Sequence, residues 1–269
     1  MKIATLITLV SAALLWTACS ESEPEVKETK NEKQPKEMGV EDDGRGAEFE
    51  DYMALVDVSD SLVNANTLYY AKPTGESYQV YLKLDAKSNL VRMQEQFTKS
   101  GSGSILNTFY YYRDGMKVAT KEIYNEGEGE SEMFFERVSY YNEKEEPIIS
   151  KIRSARFEEY LEDETFRIID PIDRSDVKAK RALVRGGEFA TNFVGVIKQD
   201  QISYIIVGEG VEGGFTTSLV VQQFTPLIIQ MLNDPDAFKG QPMDIEFQEL
   251  PDGQGFTFQS LISLKRSEK

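Results

Sequence analysis

The sequence predicts a mainly β protein with a few helices: an antiparallel strand meander with an N-terminal helix, followed by a small β-barrel. Two patterns support this fold class. In the first part, segments that alternate apolar and polar side chains recur about every ten residues, and short polar turns separate them. In the last part, the predicted order is three strands, one helix and two strands.

The N-terminal helix is predicted over residues 47–57, with a continuation to residue 65 left open. One face of this helix follows the i, i+3, i+4, i+7 spacing of an apolar stripe. The members of the stripe are Phe49, Tyr52, Met53 and Val56. We expect this face to pack against the strands that follow.

Six strands are predicted in the meander. The clearest case is residues 77–85, where Tyr78, Val80 and Leu82 share one face. Runs of tyrosine at residues 110–112 and 140–141 admit two interpretations: a stacking surface for a ligand, or cross-strand aromatic pairs, which we favour. The predicted strands are residues 77–85, 90–98, 105–113, 116–125, 132–141 and 147–155.

A break in the pattern near residue 175 predicts a division into a meander domain, residues 47–175, and a barrel domain, residues 176–269. A short helix is predicted just before it, at residues 156–164. The acidic residues Asp170, Asp173 and Asp176 could hold calcium, whose ligands are hard oxygens. The glycine-bearing loop of a dedicated calcium site is missing, so a solvated turn is the preferred interpretation and no metal site is predicted.

The C-terminal part resembles the oligonucleotide/oligosaccharide-binding fold in its element order alone. Strands are predicted at residues 193–198, 202–208 and 216–224, then a helix at residues 227–233 and two further strands. Thr225 and Pro226 are suited to the start of that helix. In the fold that it resembles, the ligand face lies on strands two and three, which here implies a binding surface at Tyr204, Ser218, Gln222 and Gln223.

The first nineteen residues carry a targeting pattern. Lys2 gives a positive start, an apolar run follows, and Ala18 is a small residue before Cys19, the single cysteine of the chain. This pattern resembles a bacterial lipoprotein signal of the Bacteroidota type. The resemblance implies that residues 1–18 are removed, that Cys19 receives a diacylglycerol, and that the protein is an outer-membrane lipoprotein of the cell envelope, facing either the periplasm or the surface.

Residues 19–46 are predicted to form a disordered acidic tether behind the lipidated Cys19. Few apolar residues occur in this segment, so burial cannot offset the cost of ordering its backbone. The acidic residues that follow the cysteine, Glu21 and Glu23, also resemble the surface-export signal of Bacteroidota lipoproteins. A solvated acidic linker explains the same residues, and both interpretations stay open.

Charge and composition exclude several classes of function. The chain has 30 Lys and Arg against 46 Asp and Glu, for a net charge of −16, which opposes binding to nucleic acid. It has no histidine, which excludes Ser-His, Cys-His and His-zinc mechanisms. With one cysteine, no internal disulfide can form. We therefore expect no cofactor and no catalytic residue; a carboxylate-based hydrolase is the enzyme alternative.

Two functions follow as hypotheses. The first is a membrane-anchored lipoprotein that acts as a non-catalytic binding or assembly module, with the membrane and an envelope protein as partners. The alternative is a lipid or small-ligand carrier, in which the meander and its N-terminal helix enclose an apolar cavity.

Overall fold

A computed structural model describes residues 45–101, 104–127 and 129–267. The predicted signal segment, Cys19 and most of the predicted tether lie outside the described residues. The helices are α1 (Arg45–Val58), α2 (Val177–Leu183) and α3 (Pro226–Asn233). Short 3₁₀ helices occur at Gly129–Ser131, Glu158–Asp163, Gly187–Phe189 and Pro235–Phe238.

Within the described residues, fourteen strands make up one sheet. The six strands predicted in the meander are present, whereas α1 ends at Val58, so the continuation of that helix to residue 65 is wrong. The strands are β1 (Val63–Asn66), β2 (Tyr70–Ala71), β3 (Ser77–Leu84), β4 (Leu90–Thr98), β5 (Ile105–Arg113), β6 (Met116–Glu126), β7 (Met133–Tyr141), β8 (Pro147–Ala155), β9 (Arg167–Ile169), β10 (Asn192–Gln199), β11 (Ile202–Gly208), β12 (Thr216–Val221), β13 (Met243–Pro251) and β14 (Thr257–Arg266).

The sheet confirms the mainly β class and the antiparallel meander. Its strand order is β10-β11-β12-β2-β3-β4-β5-β6-β7-β8-β9, so β2 to β9 are neighbours in chain order. Each of these neighbours is antiparallel to the next. Short turns are sufficient for such pairs, which agrees with the turn residues that separate the predicted strands.

The prediction of a small C-terminal barrel is wrong, because the sheet is not closed. Strand β12 bonds to β2 through the pair Thr216–Ala71, which extends the sheet into the meander. The hairpin of β13 and β14 joins the same edge of β12 in parallel, at Val220 and Val221. The edge that a barrel would use for closure is therefore shared with a strand from the first part of the chain.

One hydrophobic core includes residues from both sides of residue 175. Tyr78 and Tyr110 of the meander belong to the same buried cluster as Phe189, Ile205 and Leu219. Tyr78 stacks on Phe189 with ring centroids 4.7 Å apart. Burial of side chains of this size stabilises a fold by about 1.5–3 kcal/mol each. The predicted division at residue 175 therefore does not separate two cores. We call the face of the meander that carries Tyr78 and Tyr110 the inner face.

The opposite face of the meander carries α1, and we call it the α1 face. Met53 and Val56 of the predicted apolar stripe are buried against a second cluster of the sheet. Phe49 stacks on Tyr140 with ring centroids 5.7 Å apart. The stripe of the helix thus packs on the strands, as the spacing predicts. The strand residues in this cluster are Tyr111, Ala119, Val138 and Tyr140.

A partly buried polar junction joins the meander to the last hairpin. Glu249 Oε1 accepts hydrogen bonds from Asn66 Nδ2 at 2.6 Å and from Gln79 Nε2 at 2.8 Å. Gln259 Oε1 accepts from the backbone N–H of Tyr69 at 2.9 Å. Buried amide groups need such partners to avoid the cost of lost hydration. The junction therefore fixes the register between these distant segments.

Candidate functional site

The face predicted to bind a ligand lies on the side of β11 and β12 opposite the core. Tyr204 pairs with Val220, and Ser218 pairs with Ile206, so Tyr204 and Ser218 share this face. Gln222 and Gln223 lie beyond the end of β12, and both are exposed. Because the barrel is not formed, the resemblance in element order no longer supports a ligand face at these four residues.

A different feature dominates the inner face: residues 170–176, which we call the connector, cross it. The backbone N–H of Ile172 donates to Ser150 Oγ of β8 at 2.8 Å, and that of Arg174 donates to the Tyr141 hydroxyl of β7 at 3.0 Å. Lys117 of β6 donates from Nζ to the Arg174 carbonyl at 2.7 Å. Successive strands thus hold successive residues of the connector.

Tyrosines of β5 hold the end of the connector. The Tyr110 hydroxyl donates to the Ser175 carbonyl at 3.0 Å, and the Tyr112 hydroxyl donates to Asp176 Oδ2 at 2.6 Å. Burial, with the Asp176 carboxylate, raises the pKa of Tyr112 above its usual range, so it stays a donor. Between them, Tyr111 points to the α1 face. These rings hold segments of the chain itself.

The three aspartates of the connector do not converge. Asp170 and Asp173 are exposed, as a solvated turn predicts, but Asp176 is 8% exposed, so that interpretation is wrong for Asp176. Asp176 also accepts from Lys180 Nζ at 2.7 Å. Among the residues that the structure describes, no group of three or more acidic, cysteine or histidine side chains could hold a metal ion.

A cleft of about 320 Å³ opens on the inner face beside the connector. Phe97 and Leu106 come from β4 and β5, Tyr124 and Glu122 from β6, and Arg137 from β7, while Arg174 is contributed by the connector. We call this the inner-face cleft; its principal lining residues are Phe97, Leu106, Glu122, Tyr124, Arg137 and Arg174.

Two arginines share one buried carboxylate at the base of the inner-face cleft. Glu122 is 2% exposed, and its Oε2 accepts from Arg137 Nε at 2.5 Å. Arg174 Nε lies 2.7 Å from Glu122 Oε1. Although burial alone would lower the pKa of Arg174, the Glu122 carboxylate raises it above its usual value. Two cations against one anion leave one positive charge without a countercharge in this group.

Aromatic rings form the walls of the cleft. Tyr124 stacks on Phe135 with ring centroids 5.3 Å apart, and the Arg137 guanidinium lies 5.4 Å from the Tyr124 ring centroid. On the other side, the ring centroid of Phe97 lies 4.7 Å from Lys178 Nζ. Each wall ring thus contacts a neighbouring side chain that helps to hold it in place, as expected of a preformed binding site.

The sequence does not single out Glu122, Arg137 or Arg174. Glu122 and Arg137 are directly opposite in the pairing of β6 with β7, but their pairing depends on the register of the hairpin. Arg174 joins them because the connector crosses the sheet. A useful signal would have been the charged Glu122 at an inner-face position of a predicted strand.

The space predicted between α1 and the sheet is largely filled by the apolar stripe of the helix. A wider hollow, of about 830 Å³, lies beside Tyr52, at the turns that follow β3 and β5. Its lining includes the polar turn residues Asp85, Asn89 and Asp114. It is thus a polar surface depression rather than an enclosed apolar cavity.

Within residues 45–101, 104–127 and 129–267, no helix combines the length and apolar character needed to cross a lipid bilayer. No protein-family model, curated protein or solved structure matches the chain.

Proposed function

We propose that this protein is a lipid-anchored lipoprotein of the cell envelope whose folded part is a non-catalytic binding or assembly module. Its binding site is the inner-face cleft. The observation that supports this proposal is the cleft itself: a space of about 320 Å³ that combines aromatic walls with two guanidinium groups around one carboxylate. Small-molecule sites typically combine apolar walls with a few convergent polar groups.

The chemistry of the cleft favours binding over catalysis. A general acid or base needs an oxygen or nitrogen that is free to exchange a proton with a substrate. Both oxygens of Glu122 are already paired, one with Arg137 and one with Arg174. Arginine stays protonated at neutral pH, so neither guanidinium acts as a base. The same groups are well suited to holding an anion in place.

The proposal that the protein is attached to the membrane rests on its sequence alone. A diacylglycerol on Cys19 holds the protein to the outer membrane, and residues 20–44 act as the spacer that precedes the folded part, which begins with α1 at Arg45. Burial of each acyl CH₂ group contributes about 0.8 kcal/mol to this attachment. An envelope protein is the partner that such an anchored module would meet.

The carrier function is the weaker alternative. It requires an apolar cavity between α1 and the sheet, whereas Met53 and Val56 are packed there against Tyr111 and Tyr140. The inner-face cleft lies on the opposite side of the meander and is near the lower limit of the volume of small-ligand sites, roughly 300 Å³. A long acyl chain is therefore a poor match for either place.

Site-specific photocrosslinking in intact cells tests the cleft as the binding site. A benzoyl-phenylalanine at Glu126, an exposed residue at the rim of the cleft on the same face of β6 as Glu122 and Tyr124, should give one discrete crosslinked product. The matched control places the same group at Ile197, an exposed isoleucine on β10 beside the Tyr204 face. The same product from both positions, or none from position 126, would contradict the proposal.

The anchor is tested separately. Wild-type protein should incorporate an alkyne-tagged fatty acid and remain in the envelope fraction, because Cys19 carries the lipid. The Cys19→Ala variant should incorporate none and should be released by washing. Retention of both proteins in the washed envelope, without label in either, would contradict lipidation at this residue.

A further inference from the structure

We infer that the inner-face cleft binds a monoanionic carboxylate that carries an apolar group next to the carboxylate. This inference rests on the proposed function and specifies the ligand class of the same site. It combines three properties of the cleft: its charge balance, the accessibility of one arginine and the shape of its apolar walls.

The charge balance selects an anion of single charge. Glu122 neutralises one of the two guanidiniums, so Arg137 and Arg174 leave an excess of one positive charge. At the rim, the exposed charges of Lys99 and Glu126 are opposite in sign. A monoanion completes neutrality in a partly desolvated space, where an uncompensated charge is costly. The protein as a whole is acidic, so this attraction is local to the cleft.

Arg174 is the arginine that a ligand can reach. Its side chain is 40% exposed, whereas that of Arg137 is 12% exposed and that of Glu122 is 3% exposed. Arg174 also lines the cleft. Guanidinium and carboxylate groups match each other in a planar, bidentate geometry, which makes a carboxylate the natural partner.

The walls select the remainder of the ligand. Phe97, Leu106 and Tyr124 present apolar surface around the charged base. Their arrangement accommodates one aromatic ring or a branched aliphatic group, since aromatic side chains stack in offset or edge-to-face pairs. Two sources offer this chemistry: a free organic acid, and the C-terminal residue of a protein whose last side chain is apolar.

Calorimetric titration of the full-length protein in detergent tests the inference. The first probe is 3-phenylpropionate, and its neutral counterpart is 3-phenylpropionamide. The wild type should bind the acid about tenfold or more tightly than the amide, because only the acid pairs with Arg174. A pentapeptide ending in phenylalanine, with a free or an amidated C-terminus, forms the second pair. Tighter binding of 3-phenylpropionate would indicate a free organic acid as the ligand, and tighter binding of the peptide with the free C-terminus would indicate the C-terminal residue of a protein.

Arg174→Gln is the decisive variant, because Glu122 keeps its pair with Arg137 and the connector keeps its backbone bonds. It should remove the preference for acid over amide. The control, Arg113→Gln, makes the same charge change at an arginine that pairs with Glu48 on α1, and should retain the preference.

Each result bears on a defined claim. Equal binding of acid and amide by the wild type, or an unchanged preference in Arg174→Gln, overturns the assignment of the ligand class. If neither 3-phenylpropionate nor the peptide with the free C-terminus binds, the assignment of the ligand class is also overturned. If the wild type gives those results but still forms a discrete crosslink at position 126, the cleft stays the proposed binding site and its ligand is of a different class. If no crosslink forms at that position, the proposed function itself is overturned.

Discussion

At the scale of single residues, the tyrosines of β5 and β7 serve both faces of the sheet. Tyr110 and Tyr112 point to the inner face and bond to the connector, whereas Tyr111 points to α1 and donates to Asp57 Oδ1 at 3.0 Å. Tyr140 and Tyr141 likewise point to opposite faces. The Tyr140 hydroxyl donates to Glu50 of α1, and the Tyr141 hydroxyl accepts from the backbone N–H of Arg174. A tyrosine combines a large apolar ring with a donor at its tip, which suits it to this task.

The Tyr112→Phe variant tests this role. It removes the 2.6 Å hydrogen bond to the buried Asp176 and leaves that carboxylate with one partner fewer. We expect the free energy of unfolding to fall by about 1–3 kcal/mol. Urea denaturation at neutral pH measures the change. Tyr160→Phe, at an exposed tyrosine, is the control and should have little effect; an equal loss in the two variants would contradict the role.

At the scale of elements, charge pairs position α1 in addition to its apolar stripe. Asp57 accepts from Arg92 at 2.6 Å and from Lys121 at 3.0 Å. Lys83 Nζ donates to the carbonyl of Asp57 at 2.7 Å, near the C-terminal end of the helix. Cations are favourable at this end, because the last carbonyls of a helix have no partner within it.

The Asp57→Asn variant should destabilise the protein in a pH-dependent manner. Burial alone would raise the pKa of Asp57, but Lys121 and Arg92 lower it below its usual value. The stabilisation is therefore complete above the pKa of the unfolded state, about 3.9, and disappears as the pH falls through the lower pKa of the folded state.

Urea denaturation of wild type and Asp57→Asn at several pH values measures this dependence. At pH 7 the variant should lose about 1–3 kcal/mol of unfolding free energy, and the difference should shrink in strong acid. Asp51→Asn, at an exposed position of α1, is the control. A difference that stays constant from neutral pH into strong acid would contradict the assignment.

Local periodicity is sufficient to predict the long strands, from apolar–polar alternation, and the apolar stripe of α1, from the i, i+3, i+4, i+7 spacing. It does not predict β2 and β9, which have two and three residues, because alternation cannot be recognised over so few positions. Alternation also assigns the face of Glu122 but not its partner. Predicting the pair with Arg137 requires knowledge of the register of the β6–β7 hairpin, and predicting the contact with Arg174 requires knowledge of the path of the connector.

At the scale of the whole molecule, one sheet and one large core extend across the predicted domain boundary. The barrel prediction failed because element order does not determine which strand occupies the free edge of β12. In this protein β2 bonds to part of that edge and β14 to another part. The polar junction around Glu249 then ties the last hairpin to the meander.

Because the core is shared, we expect a core substitution in the C-terminal part of the chain to destabilise the meander as well. Leu219 is fully buried in β12, and Leu219→Ala should cost about 2–5 kcal/mol. Hydrogen exchange followed by mass spectrometry should show that β6 and β7 lose protection together with β11 and β12. Leu55→Ala, at an exposed position of α1, is the control. Retained protection in β6 and β7 would show that the two parts unfold independently.

The central claim is that ligand recognition occurs in the inner-face cleft and not on the face of Tyr204 and Ser218. A nuclear magnetic resonance titration with 3-phenylpropionate tests it most directly, because the Nε–Hε signals of Arg137 and Arg174 report on the base of the cleft. We predict that these two signals shift with a common saturation curve, while the amide signals of Tyr204 and Ser218 stay in place. Shifts confined to Tyr204 and Ser218, with both arginine signals unchanged, would contradict the claim.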